Sequence, residues 1–311
     1  MKIFNKIVNL SADFPGITVA LGTFDGIHMG HQKVISRAVD LAKQINGTSV
    51  VFTFSNHPLS IVAPQRCPLQ LVTEDDKADL LKELGVDVLL TIPFTMDFLQ
   101  LSALQFIHLI MDNLNPKEIV VGPNYFFGYN RSGTPEFLQQ SGIKYGFNVE
   151  IQPTVYVNDK IVSSTSIRQM ILSGDIDQAA QLLGRPVKVS GTVIHGAKRG
   201  RELGYPTINL QFSKQLILPV DGVYAVSLTI KNIHYNGVAN IGNNPTFNEI
   251  ERRLEVHILD YSGDLYGQPV TVIFLKHIRG QITFSSSTEL KWQICEDIKA
   301  AQLYFPLVNS K

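Results

Sequence analysis

The stretch ITVALGTFDGIHMGHQ, residues 17–32, decides how the first half of this chain is read. Residues 17–21 are an apolar, β-branched run, the pattern of a strand covered on both faces. Three glycines follow at spacings of four, Gly22, Gly26 and Gly30, with Asp25 among them and two histidines, His28 and His31, three residues apart. Beyond them, residues 31–46 place Val34, Ile35, Ala38, Val39, Ala42 and Ile45 at helical spacing. Strand, glycine turn and helix in that order predict a β–turn–α unit, with both imidazoles at the helix start and, by their i,i+3 spacing, on one face.

The alternation continues outward. Strands are predicted at 49–54, 86–92 and 118–122, helices at 74–85, 103–114 and 133–146, and extended chain at 148–157. Such alternation means an open parallel α/β sheet. Two short helices over 163–186, parted by Ser173-Gly174-Asp175, close this half. From 187 onward the pattern changes to short alternating strands punctuated by Gly, Asn and Pro, as in VKVSGTVI, GVYAVSLTI, RRLEVHILDY and QPVTVIFLKHI. That reads as an antiparallel barrel, closed by a helix over about 286–304. The predicted domains are 1–184 and 185–311.

A chain of 311 residues has length for two domains. Lys+Arg and Asp+Glu are both 27, so the net charge is zero and no global field holds nucleic acid. Anions must be held by local sites. Cys67 and Cys295 imply neither a disulfide framework nor a zinc site. The amino terminus lacks a signal-peptide run and no apolar run reaches membrane-spanning length, which predicts a cytoplasmic protein without membrane partners.

In an open α/β sheet, ligands sit outside the carboxyl ends of the strands. The unusual segments fall there repeatedly: GTFDGIHMGH after the first strand, SNHP after the second, GPNYFFGYNRSG after the fourth, SSTSIR after the extended region. Neither a P-loop nor a G-x-G-x-x-G fingerprint is present. Phosphate can instead be held at a helix amino terminus, where Gly30 leaves room for a ligand to approach the backbone. Two imidazoles there suit nucleotidyl transfer, in which charge builds on the α-phosphate as pyrophosphate leaves; the plainer alternative is that one His caps or packs. Arg168 can grip phosphate in a bidentate way or stand as a surface arginine.

The second half carries GTVIHGAKRGRELGYPTINL, residues 191–210. Its glycine-rich basic loop can wrap a phosphate chain or be an ordinary charged hairpin loop. Thr207 and Asn209 are two apart, so within a strand they share a face; they are hard oxygen donors of the kind Mg²⁺ accepts, or polar residues on a solvated face. Glu255 can take a proton from a substrate hydroxyl if it faces a cavity, and is otherwise a surface carboxylate.

GTFDGIHMGH and SSTSIR resemble the nucleotidyltransferase superfamily with the HxGH motif. More narrowly, these with TFSNHP, VVGPNYFFGYNRSG and VSSTSIRQMI resemble the amino-terminal module of bacterial bifunctional riboflavin kinase/FAD synthetases, the FMN adenylyltransferase family. The resemblance implies a Rossmann-like domain in which His28 and His31 contact the ATP phosphates. It implies that Asn124 positions the nucleotide or flavin phosphate, and that Ser164, Thr165 and Arg168 bind the triphosphate from the opposite side. Gly22, Thr23, Phe24, Asp25, Gly26 and His57 complete the ATP/FMN-binding set.

HGAKRGRELGYPTINL, GVYAV, GVANIGNNPTF and LEVHILDYSGDLYG resemble the riboflavin kinase module of the same family. This implies a six-stranded Greek-key barrel with ATP bound by Gly196, Lys198, Gly200, Arg201 and Gly204. Thr207 and Asn209 would hold Mg²⁺–ATP, Glu255 would activate the ribityl 5′-hydroxyl, and Arg279 and Phe284 would approach the flavin. The sequence departs from the family pattern at Thr23, Asn124-Tyr125, Ile208 and Gln281, where Asn, Asp-Phe, Ala and an acidic residue are usual; none of these removes a proposed catalytic group. The implied function is ATP-dependent conversion of riboflavin to FMN and of FMN to FAD, with Mg²⁺. The rivals are a flavin-binding regulator, a homologue with one module silent, an adenylyltransferase for another phosphorylated small molecule and, against the charge balance, an RNA-binding enzyme.

Overall fold

The computed structural model describes residues 1–196, 199–231, 233–246 and 249–305. Two compact units divide the chain, Met1–Ser164 and Thr165–Lys311.

The first unit runs β1 (Lys2–Phe4), β2 (Ile17–Leu21), α1 (Met29–Gln44), β3 (Thr48–Phe54), α2 (Leu59–Val62), α3 (Glu74–Glu83), β4 (Val88–Ile92), α4 (Met96–Leu99), α5 (Ala103–Leu114), β5 (Glu118–Val121), α6 (Pro135–Tyr145), β6 (Asn148–Ile151), then the hairpin β7 (Tyr156–Val157) and β8 (Lys160–Ile161). β1 to β6 form one sheet in the order β1-β4-β3-β2-β5-β6, every pair parallel. The chain winds outward from β2 through β3 to β4, then returns to β5 on the other side, so the switch in winding direction lies beside β2.

The strands bury both faces. Val19 and Leu21 of β2 join Phe52, Leu90 and Val121 against α5 and α6, while Ala20 joins Val51, Leu89 and Val120 against Val34, Ile35, Ala38 and Val39 of α1 and Leu81 of α3. This is the two-sided core that the unbroken apolar runs predict. Each such aliphatic side chain withdrawn from water contributes on the order of 1.5–3 kcal/mol.

The second unit begins with α7 (Ser164–Leu172), whose first residue belongs to the first unit, and α8 (Ile176–Leu183). β9 (Val187–Ile194), the four-residue helix α9 (Arg199–Glu202), β10 (Ile208–Gln211), β11 (Gly222–Ile230), β12 (Ile233–Thr246), β13 (Glu249–Ile258), β14 (Pro269–Arg279) and α10 (Ser287–Gln302) follow. The strands close a six-stranded antiparallel barrel in the order β10-β13-β12-β11-β14-β9. Tyr224, Val226, Ala239, Ile241, Leu254, Val256 and Phe274 are all but wholly buried and alternate with residues on the outer face. The buried Tyr224 hydroxyl donates to the Val220 carbonyl at 2.6 Å, and burial pushes this phenol well above its ordinary range. On α10, Asp297 accepts from Arg279 through both carboxylate oxygens at 2.8 and 2.7 Å, tying the helix to the end of β14.

The open α/β sheet and the barrel with its terminal helix agree with the sequence reading. Some elements differ in detail. The extended region over 148–157 is a strand of the sheet, Asn148–Ile151, and then the first arm of a separate hairpin. The basic loop contains the short helix α9, and β10 begins only at Ile208, so Thr207 lies just outside the strand and its shared face with Asn209 does not follow from strand parity.

Two candidate active sites

The loop after β2 is held in a conformation few sequences tolerate. Phe24, Gly26 and Ile27 have φ of 48°, 82° and 37°, although Phe24 and Ile27 are large and buried. Such backbone persists only where its surroundings over-determine it. Here they do: Thr53 Oγ1 donates to the Thr23 carbonyl at 3.0 Å, the Asp25 carboxylate accepts from the Leu71 amide at 3.0 Å, and Ser164 Oγ donates to the Asp25 carbonyl at 2.9 Å. A side chain on Gly26 would strike Leu71. Asp25 therefore fastens the segment before α3 to the loop, and Ser164 fastens the start of α7 to it.

This clamped loop delivers His28 as the N-cap of α1. Its Nδ1 accepts from the His31 amide at 3.2 Å, so the imidazole does what Ser or Asp commonly does and keeps its own N–H on Nε2. The His28 and His31 rings stack at 3.5 Å between centroids, 17° apart in plane, and Phe24 meets His31 edge-on at 5.4 Å. Gly30 has a role unlike the one its smallness suggests: a Cβ there would lie 3.2 Å from the His28 ring, so the glycine makes room for the imidazole.

The loops after β3, β4 and β5 lie at the same edge of the sheet. His57 accepts through Nδ1 from the Leu59 amide at 3.1 Å. Asn56, which the sequence reading passed over, bonds both the amide and the carbonyl of Phe94 and so joins the loops after β3 and β4. Asn124 is exposed in the loop after β5, next to Tyr125, whose phenol burial pushes upward and whose ring stacks on Phe127 at 5.6 Å. Beside the first turn of α1 lies a cleft of about 580 Å³ lined by Met29, Gln32, Lys33, Thr154, Val155 and Tyr156. Thr165 is exposed and Arg168 half-buried on α7, Arg168 one turn beyond Ser164.

The barrel assembles a second polar group on its outer face. Asn209 of β10 stands directly across from Glu255 of β13 in register. Leu254 and Val256, on either side of Glu255, fill the interior, so Glu255 projects outward. Asn209 is 7% exposed because the segment after β9 crosses it; a Cβ on Gly196 would overlap the Asn209 amide. Its Oδ1 is buried and has no hydrogen-bond partner among the described residues, an expensive state for an acceptor unless a ligand completes it. Gly200 packs as closely on Tyr205 and Thr207, and the Tyr205 amide donates to the Gly200 carbonyl at 2.8 Å. His257 shares a 2.8 Å hydrogen bond with the Pro206 carbonyl, which seats the approach to β10 on β13.

Gly196, Asn209 and Glu255 thus come together, and Gly200 meets Thr207 two residues before Asn209. Arg201 is exposed, and Gly204 has φ 88° in the turn that follows α9; Lys198 lies outside the described residues. Arg279 and Phe284 also meet, the guanidinium 5.8 Å from the ring centroid, but two edges of Arg279 are committed to Asp297 and the Gly280 carbonyl.

The donor set suits Mg²⁺. Among the described residues no group of three His, Cys, Asp or Glu side chains is placed to hold a metal. A buried amide oxygen without a partner among the described residues, across the strand pair from a carboxylate, matches instead an ion that takes a few protein oxygens and fills its shell with water and substrate phosphates. Gly196→Ala tests the packing on which this depends. The added methyl displaces the Asn209 amide, and because a shift near 1 Å can cost about 10²-fold in rate, a Mg²⁺-dependent reaction that uses this oxygen slows steeply and needs more Mg²⁺. A titration of rate against Mg²⁺ checks it.

Comparison with known proteins shows which family the chain resembles over both units. A family model for FAD synthetase matches residues 11–166 and one for riboflavin kinase matches residues 183–305. The bifunctional riboflavin kinase/FMN adenylyltransferase of Buchnera aphidicola subsp. Schizaphis graminum is 38% identical over 99% of this chain and 100% of its own length. Proteins of that description from Pseudomonas fluorescens and Escherichia coli (strain K12) are each 37% identical, over 97% of both chains and 99% of both chains respectively. The crystal structure of a Streptococcus pneumoniae protein described as a macrolide-efflux protein matches with a TM-score of 0.89 at 34% identity, covering 98% of this chain and 100% of that one. Among the described residues no helix is long and apolar enough to cross a membrane.

Proposed function

The chain belongs to the bifunctional riboflavin kinase/FMN adenylyltransferase family, and on that premise we propose that its two activities reside separately, adenylyl transfer at the His28–His31 cradle and riboflavin phosphorylation at Glu255. The protein is an ATP-dependent enzyme of flavin cofactor synthesis that makes FMN from riboflavin and FAD from FMN. We assign adenylyl transfer to residues 1–184 and phosphorylation to 185–311. Helices α7 and α8 are counted with the first because α7 carries Ser164, Thr165 and Arg168, although the compact units divide at Ser164/Thr165.

In the barrel, Glu255 takes the proton of the ribityl 5′-hydroxyl as its oxygen attacks the γ-phosphorus of ATP, and ADP leaves. Asn209 and Thr207 supply the protein oxygens for Mg²⁺, which when bound neutralises charge on the phosphates. Gly196, Gly200 and Gly204 let the backbone approach the nucleotide. In the sheet domain, an FMN phosphate oxygen attacks the α-phosphorus of a second ATP and pyrophosphate departs. There the two imidazoles stabilise the charge that develops, Ser164 holds the loop that carries them through the Asp25 carbonyl, and Asn124 and His57 orient the acceptor. The partners are small molecules, in line with the zero net charge, and the cytoplasm is the compartment.

The observation that carries this reading is the register pairing of Glu255 with Asn209, which sets a carboxylate beside a buried acceptor that has no partner among the described residues. Purified chain incubated with riboflavin, ATP and Mg²⁺ produces both FMN and FAD on chromatographic separation. A flavin profile that stays at riboflavin refutes the proposal.

A further inference from the structure

Glu255 has a second neighbour in register. Asn240 of β12 lies directly across from it, on the side opposite Asn209. Ala239 and Ile241, on either side of Asn240, are wholly buried in the barrel, so Asn240 projects outward beside Glu255. Neighbouring strands are about 4.8 Å apart, and directly opposed side chains of an antiparallel pair touch. Asn209, Glu255 and Asn240 therefore form a row across three strands.

The Asn240 amide is held in one orientation by Gln281, just beyond β14. Gln281 Nε2 donates to the Ile241 carbonyl at 2.6 Å and to Asn240 Oδ1 at 3.1 Å. A main-chain carbonyl can only accept, so the group facing it is the Gln281 –NH₂, and the Asn240 atom it also meets must be the oxygen. Gly242 makes room for the pair, since a Cβ there would lie 2.8 Å from Gln281 Nε2. The Asn240 Nδ2 is left exposed, bonded to no described residue, as a fixed donor next to the catalytic carboxylate.

We propose that Asn240, oriented by Gln281, is a specificity-determining residue that donates to a hydroxyl of the substrate polyol one or two carbons from the hydroxyl activated by Glu255. The inference rests on the assignment of phosphorylation to Glu255. The strand spacing matches the chemistry: a donor one strand from the base reaches an oxygen a few ångströms along the chain from the reacting one. It selects a hydroxylated side chain over a plain alkyl alcohol with the same terminal group.

The test compares riboflavin with a flavin bearing a 5-hydroxypentyl side chain, which keeps the terminal hydroxyl and lacks the others. Asn240→Ala lowers the preference for riboflavin by about tenfold, the upper range for one hydrogen bond, by slowing riboflavin and leaving the analogue unchanged. Gln281→Leu, which frees the amide, moves the preference in the same direction and serves if Asn240→Ala does not fold. Adenylylation of supplied FMN stays at the parental rate in both. An unchanged preference in the folded variants overturns the inference while the Glu255 assignment stands. Glu255→Gln is run in parallel, and undiminished phosphorylation in that variant overturns both.

Discussion

Glu255→Gln stops the conversion of riboflavin to FMN and leaves the conversion of supplied FMN to FAD intact. The substitution keeps the size and shape of the side chain and removes its charge and its capacity to accept a proton. General-base catalysis contributes about 10²–10⁴-fold, so FMN formation falls by at least about two orders of magnitude. Global unfolding is not the cause, because Glu255 lies on the outer face between two wholly buried neighbours, Leu254 and Val256, that hold β13 in the barrel. The check is a pair of rates on one preparation, FMN formed from riboflavin and FAD formed from FMN. Loss of both in a folded protein contradicts the separation of the sites.

The reciprocal change, His28→Ala with His31→Ala, makes FMN accumulate. Each preorganised donor facing a developing charge accounts for about 10²–10³ in rate. One complication is structural: His28 also caps α1, and losing a cap costs about 1 kcal/mol. His28→Asn separates the two roles, since an asparagine caps a helix well but offers no imidazole. With His31→Ala, it keeps the melting temperature close to the parent and remains unable to make FAD at a normal rate. FAD formation at the parental rate in either double variant removes the histidines from the mechanism.

What the sequence made legible follows from how local each feature is. The β2–α1 unit is legible because its strand is apolar but for Thr18 and its helix buries Val34, Ile35, Ala38, Val39 and Ala42 at regular spacing. The helix start was placed at His31 and lies at Met29, because a histidine as N-cap is not among the usual signals. β1 was missed: three residues on the edge of the sheet are fixed by pairing with Val88, Leu89 and Leu90 and carry little pattern of their own.

The site shows the same division. Motif residues stand out by type, but what they touch is set by tertiary contacts. The room that Gly30 leaves is shared with the His28 ring, and the Asp25 carboxylate holds the Leu71 amide, contacts that residue type alone does not announce. Asn240 and Asn56 fall inside quoted motifs, GVANIGNNPTF and TFSNHP, but carry no sign of what they touch. An asparagine in a strand or loop is ordinary until the register sets it across from Glu255, or until its amide spans to Phe94.

The most direct measurement is complementation in trans. Glu255→Gln protein and His28→Asn/His31→Ala protein are each incubated with riboflavin, ATP and Mg²⁺, separately and as an equimolar mixture, and the flavins are separated. Alone, the first leaves riboflavin and the second stops at FMN, whereas the mixture makes FAD. A mixture of the two folded proteins that yields no FAD contradicts two independent sites carried by one chain.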